Sequence, residues 1–215
     1  MFTQSSTSNE PTESKSDSSL TGPLQQADTS YERGSNERSI ELYSQAIEQN
    51  PESTAAYTGR GAAYLVTGSY ELSLEDFSWV IAYDPQNGNA FYNRGLANFE
   101  DEQYGNAIED FTRAIEINPQ NDNAYYNRAL ALRNANQLEA SISDFQRVIE
   151  RDPQAAFAHW GLGNSYYDLG KNEEALASYQ RYHKLTVLNP DRVVSERIIE
   201  LKEKIDNEHG RQRAD

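Results

Sequence analysis

The sequence predicts an all-α fold of the α-solenoid type, in which helical hairpins stack along one axis. The first observation behind this prediction is a proline that recurs every 34 residues, at Pro51, Pro85, Pro119 and Pro153. A fixed period of this length is typical of stacked supersecondary units. The second observation is that small and aromatic residues recur at fixed places within the period, as two closely packed antiparallel helices require.

The period divides the whole chain into segments when each unit closes two residues after its proline. We expect a disordered polar tail over 1–20, a degenerate first unit over 21–53, full units over 54–87, 88–121, 122–155 and 156–189, a capping helix over 190–207 and a frayed tail over 208–215. The segment 1–20 has too little apolar surface to offset the entropy of ordering it. A tether or a modified segment is the alternative interpretation of that tail.

Each full unit carries its packing signal at four positions. The first helix has an aromatic residue or a histidine at position 4 and a small residue at position 8. The second helix has a small residue at position 20 and an aromatic residue at position 24. Small residues let the two helices approach closely, and the aromatic rings fill the space between units. Position 8 holds Gly61, Gly95, Ala129 and Gly163, and position 24 holds Phe77, Phe111, Phe145 and Tyr179.

The turn between the two helices of a unit falls at position 15. Glycine or asparagine at this place suits the left-handed conformation that commonly ends a helix. The residues concerned are Gly34, Gly68, Asn136 and Gly170. In the third unit Glu102 takes this place, so we expect that turn to be built differently.

Arginine at position 7 and aspartate at position 23 occur together in the three central units and are both missing from the first and fifth units. The pairs are Arg60 with Asp76, Arg94 with Asp110, and Arg128 with Asp144. Such paired presence and absence indicates a contact between the two helices of a unit, favoured by the forked geometry of arginine. We therefore predict that these arginines are structural and do not contact a partner.

An apolar stripe follows the last unit. Val194, Ile198, Leu201 and Ile205 are spaced by 4, 3 and 4 residues, which places them on one face of a helix. We expect this helix to cover the end of the stack, because repeat arrays need caps for solubility. A short coiled-coil or dimerisation helix is the alternative.

The composition argues against several function classes. The 19 Lys and Arg residues are outnumbered by 34 Asp and Glu residues, and the net charge of −15, without a basic cluster, disfavours a nucleic-acid partner. The sequence has no cysteine, its three histidines lie far apart, and it has no glycine-rich phosphate loop after a strand pattern. We therefore expect no cofactor, no metal and no enzymatic activity.

The start of the sequence and its hydropathy pattern bear on location. The first residues lack the basic and apolar regions of a signal peptide, and no run of 18 apolar residues occurs. We expect no transmembrane span and a soluble, cytoplasmic protein.

The combination of small residues at positions 8 and 20, aromatic residues at 4 and 24, and proline at 32 resembles the tetratricopeptide repeat (TPR) over residues 54–189. The resemblance implies a right-handed superhelix whose first helices line a concave face. Carried across by position, it also implies a peptide-binding groove. The groove residues that it implies are Asn89, Tyr92, Asn93, Leu96, Asn123, Tyr126, Asn127, Leu130, Arg133, Trp160, Asn164 and Tyr167, with Phe157 on the same face.

These implied groove residues are mostly aromatic residues and amides. A ladder of Asn93, Asn127 and Asn164 could hold the backbone of an extended peptide, since each amide offers a donor and an acceptor. The tyrosines and the tryptophan would add rigid apolar area. The alternative is that the asparagines merely suit a polar groove and the tyrosines cover neighbouring units.

The partner class follows from the charges of the implied groove. One subclass of the family clamps the carboxylate of chaperone tails with lysine at position 5, and this chain has Thr58, Tyr92, Tyr126 and Trp160 there. We therefore expect an apolar or neutral peptide segment as partner.

Two function classes remain open from the sequence. The first is a non-enzymatic interaction module that binds a peptide or protein segment in the groove, as an adaptor or assembly factor. The alternative is a self-associating scaffold that oligomerises through its first unit and its C-terminal helix. For an enzyme or a carrier of a small ligand, the sequence offers no residue to nominate.

Overall fold

The structure is a computed structural model that describes residues 22–186 and 191–212, and its described secondary structure is helical throughout. In chain order the helices are α1 (Pro23–Glu32), α2 (Asn36–Gln49), α3 (Thr54–Val66), α4 (Tyr70–Tyr83), α5 (Gly88–Glu100), α6 (Tyr104–Ile117), α7 (Asp122–Asn134), α8 (Leu138–Arg151), α9 (Ala156–Asp168), α10 (Asn172–Leu185) and α11 (Arg192–Gln212). The expected tail over 1–20, the end of the fifth unit at 187–189 and the last residues 213–215 lie outside the described residues.

The helices form an all-α solenoid of five hairpins with a C-terminal capping helix. Among α1 to α9, each odd-numbered helix contacts the next odd-numbered helix, whereas no two even-numbered helices of the described hairpins touch. The stack therefore curves, with the first helix of every unit on the inner, concave side.

The turn between units depends on an Asp or Asn before each proline. In the second unit Asp84 is extended, with φ −130° and ψ 90°, as the following proline requires. Its carboxylate accepts the backbone N–H of Gln86 at 3.1 Å, and Asn50, Asn118 and Asp152 make the same turn. This turn ends the second helix and sets the step to the next unit, so the inner helices of the full units begin at the residues where the period places them.

The turn inside each unit has one residue in the left-handed conformation, and it lies at the same position in all five units. The expectation that the turn at Glu102 is built differently is therefore wrong. Glu102 has φ 58°, like Asn136, beside 74° to 79° for the glycines. The backbone N–H of Gln103 closes the turn on the carbonyl of Asn98 at 2.8 Å, as Ser69 does on Tyr64 at 2.9 Å. The spacing of the two packed helices sets this geometry, and the glutamate adopts it against its own preference.

Each central unit is tied together by an arginine, as the sequence predicted. Arg94 donates from Nε and Nη2 to the two carboxylate oxygens of Asp110 at 3.0 and 2.6 Å, and from Nη1 to Ser78 Oγ of the preceding unit at 3.1 Å. The same three contacts join Arg60 to Asp76 and Ser44, and Arg128 to Asp144 and Thr112. We call this arrangement the arginine clamp, and it connects three helices from two units.

The first and fifth units replace the clamp by a tyrosine. Tyr43 and Tyr179 stand where the central units have phenylalanine, and they donate to Asp28 and Asn164 on their own first helices at 2.7 Å each. Burial raises the pKa of the Tyr179 phenol to about 12. A tyrosine hydrogen bond between the two helices, to a carboxylate in the first unit and to an amide in the fifth, therefore holds the end units where the central units have an ion pair.

The capping helix α11 packs on the last hairpin. Val194 and Leu201 are 2% and 0% exposed, against Tyr179 and Tyr182 of α10. Tyr182 fills the place of a small residue, which suits a neighbour that is a single helix and not another hairpin. The helix extends to Gln212, five residues past the expected boundary at 207.

We expect Glu102→Gly to raise the free energy of unfolding by about 0.5–1 kcal/mol. Removing the left-handed strain stabilises the folded state by about 1–2 kcal/mol, and the greater conformational freedom of glycine in the unfolded chain offsets part of this stabilisation. Urea unfolding followed by circular dichroism measures the shift. Asn136→Gly is the matched control and should gain less, because asparagine tolerates this conformation. An unchanged or lower midpoint for Glu102→Gly would contradict the prediction.

Asp110→Ala should lower the free energy of unfolding by about 2–3 kcal/mol, because it leaves the Arg94 guanidinium without its partner in a partly buried site. The side chains of Asp110 and Arg94 are 6% and 26% exposed. Glu116→Ala breaks the exposed pair with Arg113 and is the control, with an expected loss below about 0.5 kcal/mol. Equal losses in the two variants would show that the clamp has no special role.

Candidate functional site

The twelve predicted groove residues all lie on α5, α7 and α9, the inner helices of the third to fifth units. Asn89 and Asn123 are exposed, and the other ten are partly buried. All twelve therefore lie on neighbouring helices of the concave side, but some of their side chains already make contacts within the fold.

Tyr92 and Asn127 bind each other across two units. The Asn127 Nδ2 group donates to the Tyr92 hydroxyl at 2.8 Å, and the Tyr92 ring contacts Phe111. Burial raises the pKa of Tyr92, and the hydrogen bond from Asn127 partly offsets this. For this pair the structure favours the interpretation that the tyrosine covers a neighbouring unit, although Asn127 keeps a carbonyl oxygen and one N–H for other contacts.

Asn164 is engaged inside its own unit. Its Oδ1 atom accepts the hydroxyl of Tyr179, so the three-asparagine ladder lacks one free acceptor. The sequence contained a signal for this contact, because Tyr43 with Asp28 in the first unit and Tyr179 with Asn164 in the fifth hold the same positions, 24 and 9.

Three further groove residues contact the C-terminal part of the chain. Arg133 pairs with Asp168 at 2.7 Å. Tyr167 donates to Glu200 of α11 at 3.0 Å and lies 4.0 Å beneath the guanidinium of Arg197. Trp160 packs beside the apolar cluster of α10 and α11, which includes Val194 and Leu201. Sequence reasoning missed these contacts, since each occurs once and no other repeat displays it.

Asn93 and Tyr126 keep their polar groups unused. Within residues 22–186 and 191–212, neither the Asn93 amide nor the Tyr126 hydroxyl makes a hydrogen bond, and burial raises the pKa of Tyr126. In both cases the pair equivalent to Tyr92 and Asn127 lacks one member. Thr58 replaces the tyrosine that Asn93 would meet, and Gly161 replaces the asparagine that Tyr126 would meet.

Gly161 itself has a packing reason. A Cβ atom at this position would lie 2.4 Å from the Phe145 ring, which stands edge-on against the ring of Tyr126 with centroids 5.7 Å apart. The close approach of Phe145 therefore excludes a side chain here and leaves the Tyr126 hydroxyl accessible.

An apolar pocket of about 340 Å³ opens beside Tyr126, where the fourth and fifth units meet. Val148, Phe157 and alanines at the start of α9 form its apolar wall, and Asn123, Asp122 and Asp152 contribute polar groups. The Phe157 side chain is 66% exposed, which is unusual for a phenylalanine in a folded protein. Such a pocket can hold an apolar side chain with polar groups at its edge.

The described helices show no feature of two other site classes. No group of three ligating side chains in the described ranges could hold a metal ion. None of the described helices is both long enough and apolar enough to cross a bilayer.

Sequence comparison finds the repeat family across the stack. Family models of the tetratricopeptide repeat match residues 27–68, 88–121 and 126–186, which together exceed half of the chain. The first match includes most of the degenerate first unit over 21–53. No curated protein sequence matches the chain significantly.

Solved structures share the architecture. YrrB, described as a TPR protein with an unusual peptide-binding site, is 25% identical, with a TM-score of 0.71 over 84% of this chain and 90% of YrrB. MamA from Desulfovibrio magneticus RS-1 is 21% identical, with a TM-score of 0.69 over 77% of this chain and 92% of its own, which shows the fold alone. The chain belongs to the tetratricopeptide repeat family, a fold that generally serves protein interaction and not catalysis.

Proposed function

We propose that this protein is a non-enzymatic interaction module that binds a peptide or an extended protein segment in its concave groove. The observation that carries the proposal is the pair of unused polar groups on Asn93 and Tyr126, at positions where the adjacent Tyr92 and Asn127 satisfy each other. Peptide binding by YrrB, a structural neighbour at 25% identity, supports the same use of the fold.

The chemistry of the groove suits a peptide backbone. The Asn93 amide offers a donor and an acceptor, and a phenol hydroxyl offers both as well. Leu96 and Leu130 add partly buried apolar surface, which would remove the side chains of an extended segment from water. Charged side chains on these inner helices are largely paired within the protein, so a neutral or apolar segment is the simplest occupant.

The self-associating scaffold has less support. The apolar stripe of α11 already packs within the chain, since Val194 and Leu201 are buried against α10. Val193 and Ile199, on the same helix, are exposed. At the other end, the outer surface of the first hairpin is polar and includes Gln25, Arg33 and Arg38. Light scattering at micromolar concentration tests this alternative, which requires oligomers.

Selection of random peptides displayed on phage against the full chain tests the proposed function, with affinities of the enriched peptides measured by fluorescence anisotropy. We expect the double variant Asn93→Ala, Tyr126→Phe to lose about tenfold in affinity, because two hydrogen bonds to the ligand disappear. Neither change touches a group that the fold uses.

Leu72→Ala, on the exposed side of α4, is the control and should bind like the wild type. Failure to enrich any peptide, or an affinity of the double variant equal to that of the control, would refute groove binding.

A further inference from the structure

The pocket between the fourth and fifth units has the size of a side-chain site. Its volume of about 340 Å³ lies at the lower end of the roughly 300–1,000 Å³ that ligand pockets span. Tyr126, Val148 and Phe157 present apolar surface to it, and Phe157 is 66% exposed. A single large apolar residue of a bound peptide would match this volume and this surface.

At the pocket, the fifth unit departs from the helix start of the other full units. Ser53, Asn87 and Asn121 begin their inner helices with a side chain that accepts a backbone N–H within the first turn. The equivalent residue of α9 is Ala155, which makes no such contact and lines the pocket. A polar capping side chain is therefore missing at the place where the cavity opens.

The charged groups that line the pocket are both acidic. Asp122 is paired with Arg151 at 2.7 Å, so its charge is balanced. Asp152 forms no ion pair with any residue in the described ranges, and its Oδ1 atom accepts only the backbone N–H of Gln154, at 2.9 Å. No lysine or arginine lines the pocket. With a net charge of −15 on the whole chain, the pocket rim favours a cation.

We propose that this pocket selects peptides in which a large apolar residue is adjacent to a lysine or arginine. The apolar side chain enters between Tyr126 and Phe157, and the cation of its neighbour lies against the Asp152 carboxylate. This inference rests on the proposed function, and for this pocket it replaces a neutral segment by one that has an apolar residue and a cation side by side.

The repeats supply a substitution that removes the charge of Asp152 and keeps the turn. Asn50 and Asn118 occupy the equivalent position in other units and make the same side-chain contact to the backbone N–H two residues later. Asp152→Asn should therefore fold like the wild type. Phe157→Ser removes a tilted ring contact with Tyr182, at 6.4 Å between centroids, and it should keep the fold because Phe157 is mostly exposed.

The experiment uses the peptides selected from the random display library on the full chain, and it compares their affinities for four proteins by fluorescence anisotropy. The proteins are the wild type, Asp152→Asn, Phe157→Ser and, as the matched charge control, Asp84→Asn at another unit boundary. We expect enriched peptides to contain the apolar and cationic pair. Phe157→Ser should weaken them by at least about tenfold.

Asp152→Asn should weaken the same peptides by about threefold at low salt, and by less at high salt because the contact is screened. Asp84→Asn should change nothing. Enrichment of acidic peptides or of free C-terminal carboxylates would overturn the proposal, as would equal effects of Asp152→Asn and Asp84→Asn.

The outcome also separates this proposal from the groove function. Enriched peptides that respond to the Asn93→Ala, Tyr126→Phe variant but not to Phe157→Ser or Asp152→Asn would leave groove binding intact and refute the pocket. A library that yields no binders at all would refute both.

Discussion

A single guanidinium in each central unit fixes the position of three helices, and the geometry of the concave face depends on it. The fork of Arg94 engages both oxygens of Asp110 and reaches Ser78 of the previous unit at the same time. An ammonium group has no planar fork with which to match this carboxylate, so lysine could not replace it. Because Asp110 is buried, the contact is short and poorly screened by water. It therefore fixes each inner helix on the outer helices of its own and the preceding unit, and α6, which binds both Arg94 and Arg128, positions α5 and α7 for the contact between Tyr92 and Asn127.

The sequence predicts those parts of the structure that recur. The proline period predicts where the inner helices start. The joint presence of arginine and aspartate in three units predicts their ion pair, because the repeats within one chain can be compared with each other. The turn at Glu102 was predicted wrongly because it follows from the packing of the two helices, which overrides the preference of one residue. Contacts made once, such as Tyr167 with Glu200, leave no trace in the repeat pattern and need the structure.

The unused polar groups of the groove occur where the repeat is interrupted. Thr58 and Gly161 each remove one member of a pair that the middle of the array keeps, and Ala155 removes a capping side chain. Gly161 shows that such an interruption can have a packing cause, since the ring of Phe145 leaves no room for a Cβ atom. Packing inside the fourth and fifth units and the accessibility of the Tyr126 hydroxyl are thus two results of one substitution. This explains why the sequence, which shows the change, does not show its effect on the groove.

Asn93, Tyr126 and the exposed Phe157 lie on three neighbouring inner helices, α5, α7 and α9. Packed helices lie about 8–10 Å apart, so these three span roughly 20 Å. An extended chain covers this distance with about six residues. A helix of six residues is not stable on its own in water, so the proposed groove would match a short extended segment better than a short helix. A partner could supply such a segment from a loop or a terminus without unfolding its own domain.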